Sequence, residues 1–581
     1  MLSGIGISPG IVLGKAKIKK ENNIQIIRES IKDINAEIDR FHEAIECSKR
    51  QIKEVRDKTL AEIGEEEARI FDAHELILED VTFTDQVINK IKNCLINSES
   101  AIKEVSNDFI TIFNNMNDVY MKEKASDIKD VSERVIYNLL GIEQCDFNSM
   151  TEEVIVVSKD LTPSDTASFN KDKVLGFITE LGGKTSHTAI LARTLEIPAV
   201  TGINDLLQKI EDGDFLIIDG NSGQVIVNPN NKVIREYEKK KSEYEKQLLV
   251  YKKYKDKKTV SKDGINVELV ANIGMPSDIK SVLNNGAEGI GLYRTEFLFM
   301  ERDKLPTEEE QFQAYKEVVE KMDNKPVVLR TIDIGGDKEV PYLGLPAEMN
   351  PFLGYRAIRM CLDRQDIFRT QLRALLRASS YGNLKIMFPM ISNIDEIQEA
   401  KKILEEIKVD FKNNEILFNE NIEIGMMIEI PSAAIMSDVF AKEVNFFSIG
   451  SNDLIQYTVA VDRGNDKIAN LYDEFNPAVL RLIDTIIKNA HKEGIWVGMC
   501  GEAASNSELI PILLAMGLDE FSMNASFLLQ ARYLISQLSV NDIKQELPQI
   551  LQMKKGKQIQ NFISKITNIK NFKRDMEDYY D

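Results

Sequence analysis

The strongest constraint on the fold lies in the C-terminal half, where eight short β-like runs alternate with helical segments over roughly 300 residues. The runs cover 267–273, 289–294, 326–333, 384–390, 423–429, 446–453, 496–501 and 520–523, with a wide insertion after the third. Regular alternation of strand and helix calls for a parallel sheet, and eight units close it into a (β/α)8 barrel, the TIM barrel. Barrels of this kind place their chemistry at the carboxyl ends of the strands. Asn272, Arg294, Arg330, Asp333, Glu429, Asp453 and Cys500 all fall at or near those ends, so the unusual residues gather on one rim.

A chain of 581 residues is too long for a barrel alone. From about Ile31 to Leu140 glycine and proline nearly vanish and apolar residues recur at three- and four-residue spacing, which predicts a helical subdomain. Around Glu152 the texture changes to short β-rich runs at 154–158, 174–179, 215–219 and 224–227, the pattern of a compact α/β unit whose first strand lies near residue 10. Residues 231–262 hold twelve Lys or Arg against five Asp or Glu and no glycine or proline, a long charged helix suited to a linker. The expected architecture is α/β multidomain. Residues 1–30 and 145–230 form an α/β domain, 31–144 an inserted helical subdomain, 231–262 a linker helix and 263–581 the barrel.

Charge and composition remove several functions. With 73 Lys and Arg against 93 Asp and Glu the net charge is −20, a sign that repels nucleic acid. No apolar stretch approaches the roughly 18 residues needed to span a bilayer, and the start MLSGIGISPG lacks the features of a signal peptide, so a cytoplasmic protein is expected. Five widely spaced cysteines with no CxxC pair fit reduced thiols better than zinc or disulfides.

Three constellations carry chemistry. His187 sits in GGKTSHTAILART, where a glycine turn, two hydroxyls and a helix start would hold a phosphate on the imidazole; from this pattern alone an ordinary capping histidine fits equally well. Arg294, Arg330 and Arg356 place three guanidiniums near one mouth, which implies a small, multiply anionic ligand. Glu429 and Asp453 end consecutive strands and can share Mg2+ with substrate oxygens, or pair with the arginines instead. Cys500 at the same rim reads either as a buried inert thiol or as a proton donor.

Taken together, DLTPSDTA, GGKTSHTAILAR, GLYRTEFLFM, RTIDIGGDK, NPFLGYRAIR, FFSIGSNDLIQYTVAVDRGN and GMCGEAA make the chain resemble enzyme I of the bacterial sugar phosphotransferase system, the phosphoenolpyruvate–protein phosphotransferases, over essentially its whole length. The resemblance implies that the α/β unit is a phosphohistidine domain and that His187 takes the phosphoryl group of phosphoenolpyruvate, releasing pyruvate. The group then passes to a histidine of the small carrier protein HPr. Carried over position by position, Arg294 and Arg330 grip the phosphate with Arg356 in support, Asn452 and Arg463 touch substrate, Glu429 and Asp453 bind Mg2+, Cys500 protonates the enolate carbon and Thr166 orients the histidine. Lys184 departs from the family, many of whose members carry arginine there; the charge is kept and paired hydrogen bonding is lost. The resemblance also implies a homodimer through the barrel domain and closure of the two halves for the first transfer, with 231–262 as the hinge.

Residues 62–80 contain eight acidic side chains and one basic one, Arg69. A solvated helix face explains such a run, but a carrier with a basic surface makes Glu65, Glu66, Glu67, Asp72, His74 and Glu75 candidate HPr contacts. The rivals are a phosphoenolpyruvate synthase or pyruvate phosphate dikinase, a barrel enzyme acting on free substrates, and a non-catalytic regulatory protein that binds a carrier. The first needs a nucleotide-binding domain for which there is no room, and the last has no use for the full set of arginines, carboxylates and thiol.

Overall fold

The computed structural model describes residues 1–19, 26–62, 65–114, 119–142, 152–170, 173–183, 187–195, 197–300, 302, 304–336, 340–346, 348–463, 465 and 467–567. They form two compact units, Met1–Lys246 and Gln247–Asp581.

The first unit holds an eight-stranded sheet in the order Leu2–Ser3, Gln224–Val227, Phe215–Asp219, Ile11–Ile18, Val154–Ser158, Val174–Thr179, Ala199–Thr201, Ile5–Ser8. The four strands from Ile11–Ile18 to Ala199–Thr201 run parallel, and the flanking pairs are antiparallel. Parallel neighbours need a long crossover. Between Ile11–Ile18 and Val154–Ser158 that crossover carries the helices Ile34–Glu62, Glu65–Glu79, Val81–Cys94, Ser98–Asn114 and Val119–Leu140. These helices bury their own apolar core, including Phe41, Phe71, Leu78, Val87 and Val131. The strands Ile5–Ser8 and Ala199–Thr201 have no counterpart in the sequence reading, because each is too short to show a period.

The segment after Val154–Ser158 shows how local sequence sets local structure. In DLTPSDTA, Thr162 and Asp165 cap each other reciprocally, and Pro163 opens the short helix Pro163–Ala167. Asp165 also accepts from the Lys19 ammonium. The Thr188 hydroxyl donates to the Leu161 carbonyl at 2.9 Å, which joins this segment to the first turn of the helix His187–Thr194.

The second unit is a closed, all-parallel barrel of Glu268–Ile273, Ile290–Arg294, Val327–Arg330, Leu384–Phe388, Ile424–Ile428, Phe446–Ile449, Trp496–Met499 and Glu520–Met523. All eight expected strands are present, but several end one to four residues earlier than the sequence runs. The continuous helix expected over 231–262 spans Asn231–Lys252. Past it, the backbone carbonyls of Tyr254 and Lys255 accept from the fully buried Arg532 guanidinium, which also bonds Thr259 and Gly286. Asp263 caps the helix Val540–Gln552 from a distance by accepting from the Val540 and Asn541 amides. No helix among the described residues is long and apolar enough to cross a membrane.

The barrel floor holds a buried acid. Glu520 opens the last strand at 3% exposure, and a Cβ at Gly498 would stand 2.7 Å from its Oε1, so glycine there leaves space for the carboxyl. Burial, with repulsion from Glu268, pushes that carboxyl up to about 8 from an ordinary 4.5. A carboxyl raised on folding contributes stability below about pH 4.5 and loses it as the pH climbs towards 8. Glu520→Gln should therefore melt above the wild-type protein at pH 8, with the gap closing near pH 4.5 in calorimetry.

Candidate active site

The carboxyl rim of the barrel gathers a buried network of opposite charges. The strands Ile290–Arg294 and Val327–Arg330 pair in register through their last residues, which brings Arg294 beside Arg330. Arg330 bonds Glu296 through Nη2 at 2.6 Å and Asp333 through Nη1 at 3.0 Å. Arg356 donates from Nη2 to both oxygens of Asp333 at 2.9 and 3.1 Å and to Asp453 Oδ2 at 3.3 Å. Its Nη1 reaches the Tyr457 hydroxyl at 3.2 Å. Asp333 thus stands between two arginines and fixes both. Burial works against the Arg330 and Arg356 charges, but their carboxylate partners more than offset it and hold both guanidiniums ionised.

Glu429, just past Ile424–Ile428, is buried and accepts from the Met390 amide at 2.6 Å. Burial first, then Asp453 and Asp333, raise its carboxyl above the usual range, against the pull of Arg330 and Arg356. Asp453 does not end a strand, as its run suggested. It lies in the first turn of the helix Ser451–Val459, after a turn at Gly450. A Cβ at Gly450 would sit 2.8 Å from Glu429 Oε2, so the bare backbone lets the Glu429 carboxylate lie against the turn that carries Asp453. Two residues beside these groups have positive φ without being glycine: Ala357 at +53° and Met390 at +57°. Such strain persists only where the surroundings over-determine it, and here it aims the Arg356 side chain and the Met390 amide.

Cys500 follows the strand Trp496–Met499 at 3% exposure, with Sγ 3.8 Å from the Ile449 carbonyl. Burial pushes its thiol up to about 11, although Arg330 and Arg294 pull the other way, so it keeps its proton at neutral pH. Asn272 holds the Cys500 carbonyl at 3.0 Å. Asn452 Oδ1 accepts from the Glu502 amide at 2.9 Å, tying the turn before Asp453 to the loop after Cys500. Arg463 is exposed, with its backbone amide bonded to Gln456. Arg294, Arg330, Arg356, Glu429, Asp453 and Cys500 are therefore brought together by the barrel. Glu296 and Asp333 complete the network; the sequence reading placed Asp333 on the rim without a chemical task and did not single out Glu296. The signal available was the arginines' own need for counter-charge when buried.

In the first unit Thr166 is buried, and its hydroxyl donates to the Thr162 and Pro163 carbonyls. His187 opens its helix, but its side chain, those of Glu65, Glu66 and Glu67, and all of Lys184 lie outside the described residues. Asp72 pairs with Arg56, and Glu75 is half-buried. His74 departs from the surface role considered for it. It is 1% exposed, because it shares a helix face with Phe71 and Leu78 and lies against Asp127 at 3.4 Å.

Three family profiles match: "PEP-utilising enzyme, N-terminal" over residues 3–124, "PEP-utilising enzyme, mobile domain" over 150–223 and "PEP-utilising enzyme, PEP-binding domain" over 250–540. A phosphoenolpyruvate-protein phosphotransferase of Priestia megaterium is 52% identical over 98% of this chain and 99% of its own. Proteins of the same name from Bacillus subtilis and Staphylococcus carnosus are 53% and 49% identical, each over 97% of this chain and 99% of their own. The chain belongs to the phosphoenolpyruvate-protein phosphotransferase family.

The donor set of this phosphotransferase family member suits a hard divalent cation. Glu296, Asp333 and Asp453 meet Arg294, Arg330 and Arg356, and Glu429, whose carboxyl is raised by burial and then by Asp453 and Asp333, is a group that a divalent cation would draw back to its charged form. Among the described residues no three His, Cys, Asp or Glu form a metal cage. Magnesium, which takes one or two protein carboxylates and completes its shell with water and ligand oxygens, suits Glu429 and Asp453. The Nε of Arg330 is buried and finds no acceptor among the described residues, a donor suited to an anion. Gly450→Ala should push the Glu429 carboxylate aside and weaken Mn2+ binding, read by electron paramagnetic resonance, by about tenfold or more with the far-ultraviolet dichroism unchanged.

Proposed function

We propose that the protein transfers the phosphoryl group of phosphoenolpyruvate to His187 and from there to a histidine of the carrier HPr, releasing pyruvate. The observation that supports this best is the barrel mouth itself, where two arginines are held charged and fixed by buried carboxylates beside a protonated thiol. Phosphoryl transfer asks chiefly for positioning and charge neutralisation. Arg294 and Arg330 grip the phosphate, Arg356 supports them, and Asn452 and Arg463 orient the rest of the substrate. Glu429 and Asp453 would hold Mg2+, which when bound would offset the negative charge of these carboxylates and of the substrate phosphate. The His187 imidazole attacks phosphorus as the P–O bond to the enol oxygen breaks, and the enolate carbon then takes its proton from Cys500, giving pyruvate. Thr166 and Lys184 support the imidazole.

On this reading residues 1–30 and 145–230 form the phosphohistidine domain, and 31–144 the helical HPr-binding subdomain. The linker is 231–262, and 263–581 binds phosphoenolpyruvate and joins two copies into a dimer. The protein works in the cytoplasm. The contact to HPr falls on Glu65, Glu66, Glu67, Asp72 and Glu75.

Incubation with radiolabelled phosphoenolpyruvate and Mg2+ should place an acid-labile, alkali-stable label on the protein, and His187→Ala should abolish both the label and coupled pyruvate release. Labelling from ATP alone would favour a synthase or dikinase instead. Charge reversal at Glu65, Glu66 and Glu67 should slow delivery to HPr and spare labelling of His187, and equal loss of both steps would remove the acidic patch from the carrier contact.

A further inference from the structure

The two strands that carry the phosphate-gripping arginines stop pairing at the site. Arg294 and Arg330 form the last rung of their ladder, and beyond it Thr295–Leu298 turns into a short 3-10 helix while the segment after Arg330 continues through Thr331 and Ile332. A buried amide supplies the next connection. Gln371, on the helix Gln365–Ala378, accepts from the Ile332 amide through Oε1 at 2.9 Å and donates from Nε2 to Thr295 Oγ1 at 3.0 Å. Thr295 Oγ1 in turn donates to the Arg330 carbonyl at 2.7 Å. A closed circuit therefore links the residue after Arg294, the backbone of Arg330 and the residue before Asp333. The next side chain after Thr295 is Glu296, the partner of Arg330.

Gln371, Thr295 and Glu296 are fully buried. The helix that presents the amide is itself fixed: Arg373 and Arg377 bind Glu308, Arg377 also binds Glu309, and the Arg377 guanidinium lies 4.0 Å from the Phe312 ring centre. Buried amides in a fully satisfied network restrict their neighbours to one arrangement, and a partner left unpaired is costly. We propose that Gln371, through Thr295, is a positioning residue that sets the spacing and orientation of Arg294, Arg330 and Asp333 for the phosphate of the substrate; this rests on the function proposed above.

Gln371 Nε2 also donates to the Tyr315 hydroxyl at 3.1 Å, and this hydroxyl joins a second buried amide to the circuit without tying that amide to a strand end, so the second amide serves as a graded control. Gln311 is 1% exposed, donates to the Pro306 carbonyl at 3.1 Å and accepts from the Tyr315 hydroxyl at 3.1 Å, with no bond to either strand end among those described. The full-length protein would be assayed for pyruvate release against phosphoenolpyruvate concentration, for transfer of label from phosphorylated protein to HPr, and for thermal melting. Gln371→Met and Thr295→Val should each raise the phosphoenolpyruvate half-saturation by about tenfold or more, because small displacements of gripping groups are expensive. Transfer from phosphorylated His187 to HPr should stay within about twofold of wild type, since that step does not use the barrel mouth. Thr295→Ser, which keeps the hydroxyl, should hold the half-saturation within about twofold of wild type, and Gln311→Leu, which reaches the strand ends only through Tyr315 and Gln371, should lower the melting temperature and raise the half-saturation by far less than Gln371→Met. If Gln371→Met fails to fold, Thr295→Val against Thr295→Ser decides. An unchanged half-saturation in Thr295→Val, or an equal rise in Gln311→Leu, overturns the proposal. Wild-type protein that takes no label from phosphoenolpyruvate overturns the function reading instead, and the two failures are distinct.

Discussion

Asp333 between Arg330 and Arg356 is the interaction on which the barrel mouth depends. Placing charges inside a protein costs several kcal/mol each in lost hydration, which a pair recovers only with good geometry and further hydrogen bonds. Here the geometry is shared: Asp333 receives one bond from Arg330 and a forked set from Arg356, while Glu296 accepts from Arg330 Nη2 and Asp453 shares Arg356 Nη2. The network adds little stability compared with an apolar core of the same volume. What it supplies is orientation, because guanidiniums already aligned do not reorganise when an anion arrives.

That alignment rests in turn on rigid surroundings. Arg294 and Arg330 end their strands and Glu429 and Cys500 directly follow theirs, and the other faces of these strands are packed into one large apolar core, so their backbones cannot drift independently. Where the loop must depart from easy conformations, at Ala357 and Met390, the unusual φ values occur beside Arg356 and against Glu429. The first unit uses a different device. A proline-started, reciprocally capped turn at Thr162–Asp165 is bonded through Leu161 to the start of the helix that opens with His187.

Much of this was legible in the sequence for physical reasons. Barrel strands buried on both sides read as continuous apolar runs, and the residues that interrupt them polarly are those at the rim, so Arg294, Arg330, Glu429 and Cys500 stood out at once. Strand ends were less legible, since Thr331 and Ile332 look as β-like as the residues before them; only the turn at Gly450 moves Asp453 onto a helix. Glu296 and Gln371 gave no local signal, because a buried polar residue on a helix or turn resembles a solvated one until its partners, 34 and 39–76 residues away, are in place. His74 failed in the opposite direction. Acidic neighbours suggested a surface, whereas its spacing from Phe71 and Leu78 already marked the buried face.

The division of acid–base work on the proposed reading follows from burial. A thiol whose proton is held up to about 11 is a poor nucleophile near neutrality and a weak acid towards water. An enolate carbon is a far stronger base than a thiolate, so proton transfer from Cys500 to that carbon runs downhill once the enolate exists. Before then the same thiol is inert towards the intact substrate. Arg330 and Arg294 pull against burial at Cys500, and so stabilise the thiolate left behind until a proton returns. A more acidic thiol would already be ionised when the substrate arrived, with no proton to give; a less acidic one would leave the enolate waiting. Burial beside two arginines places Cys500 between these failures.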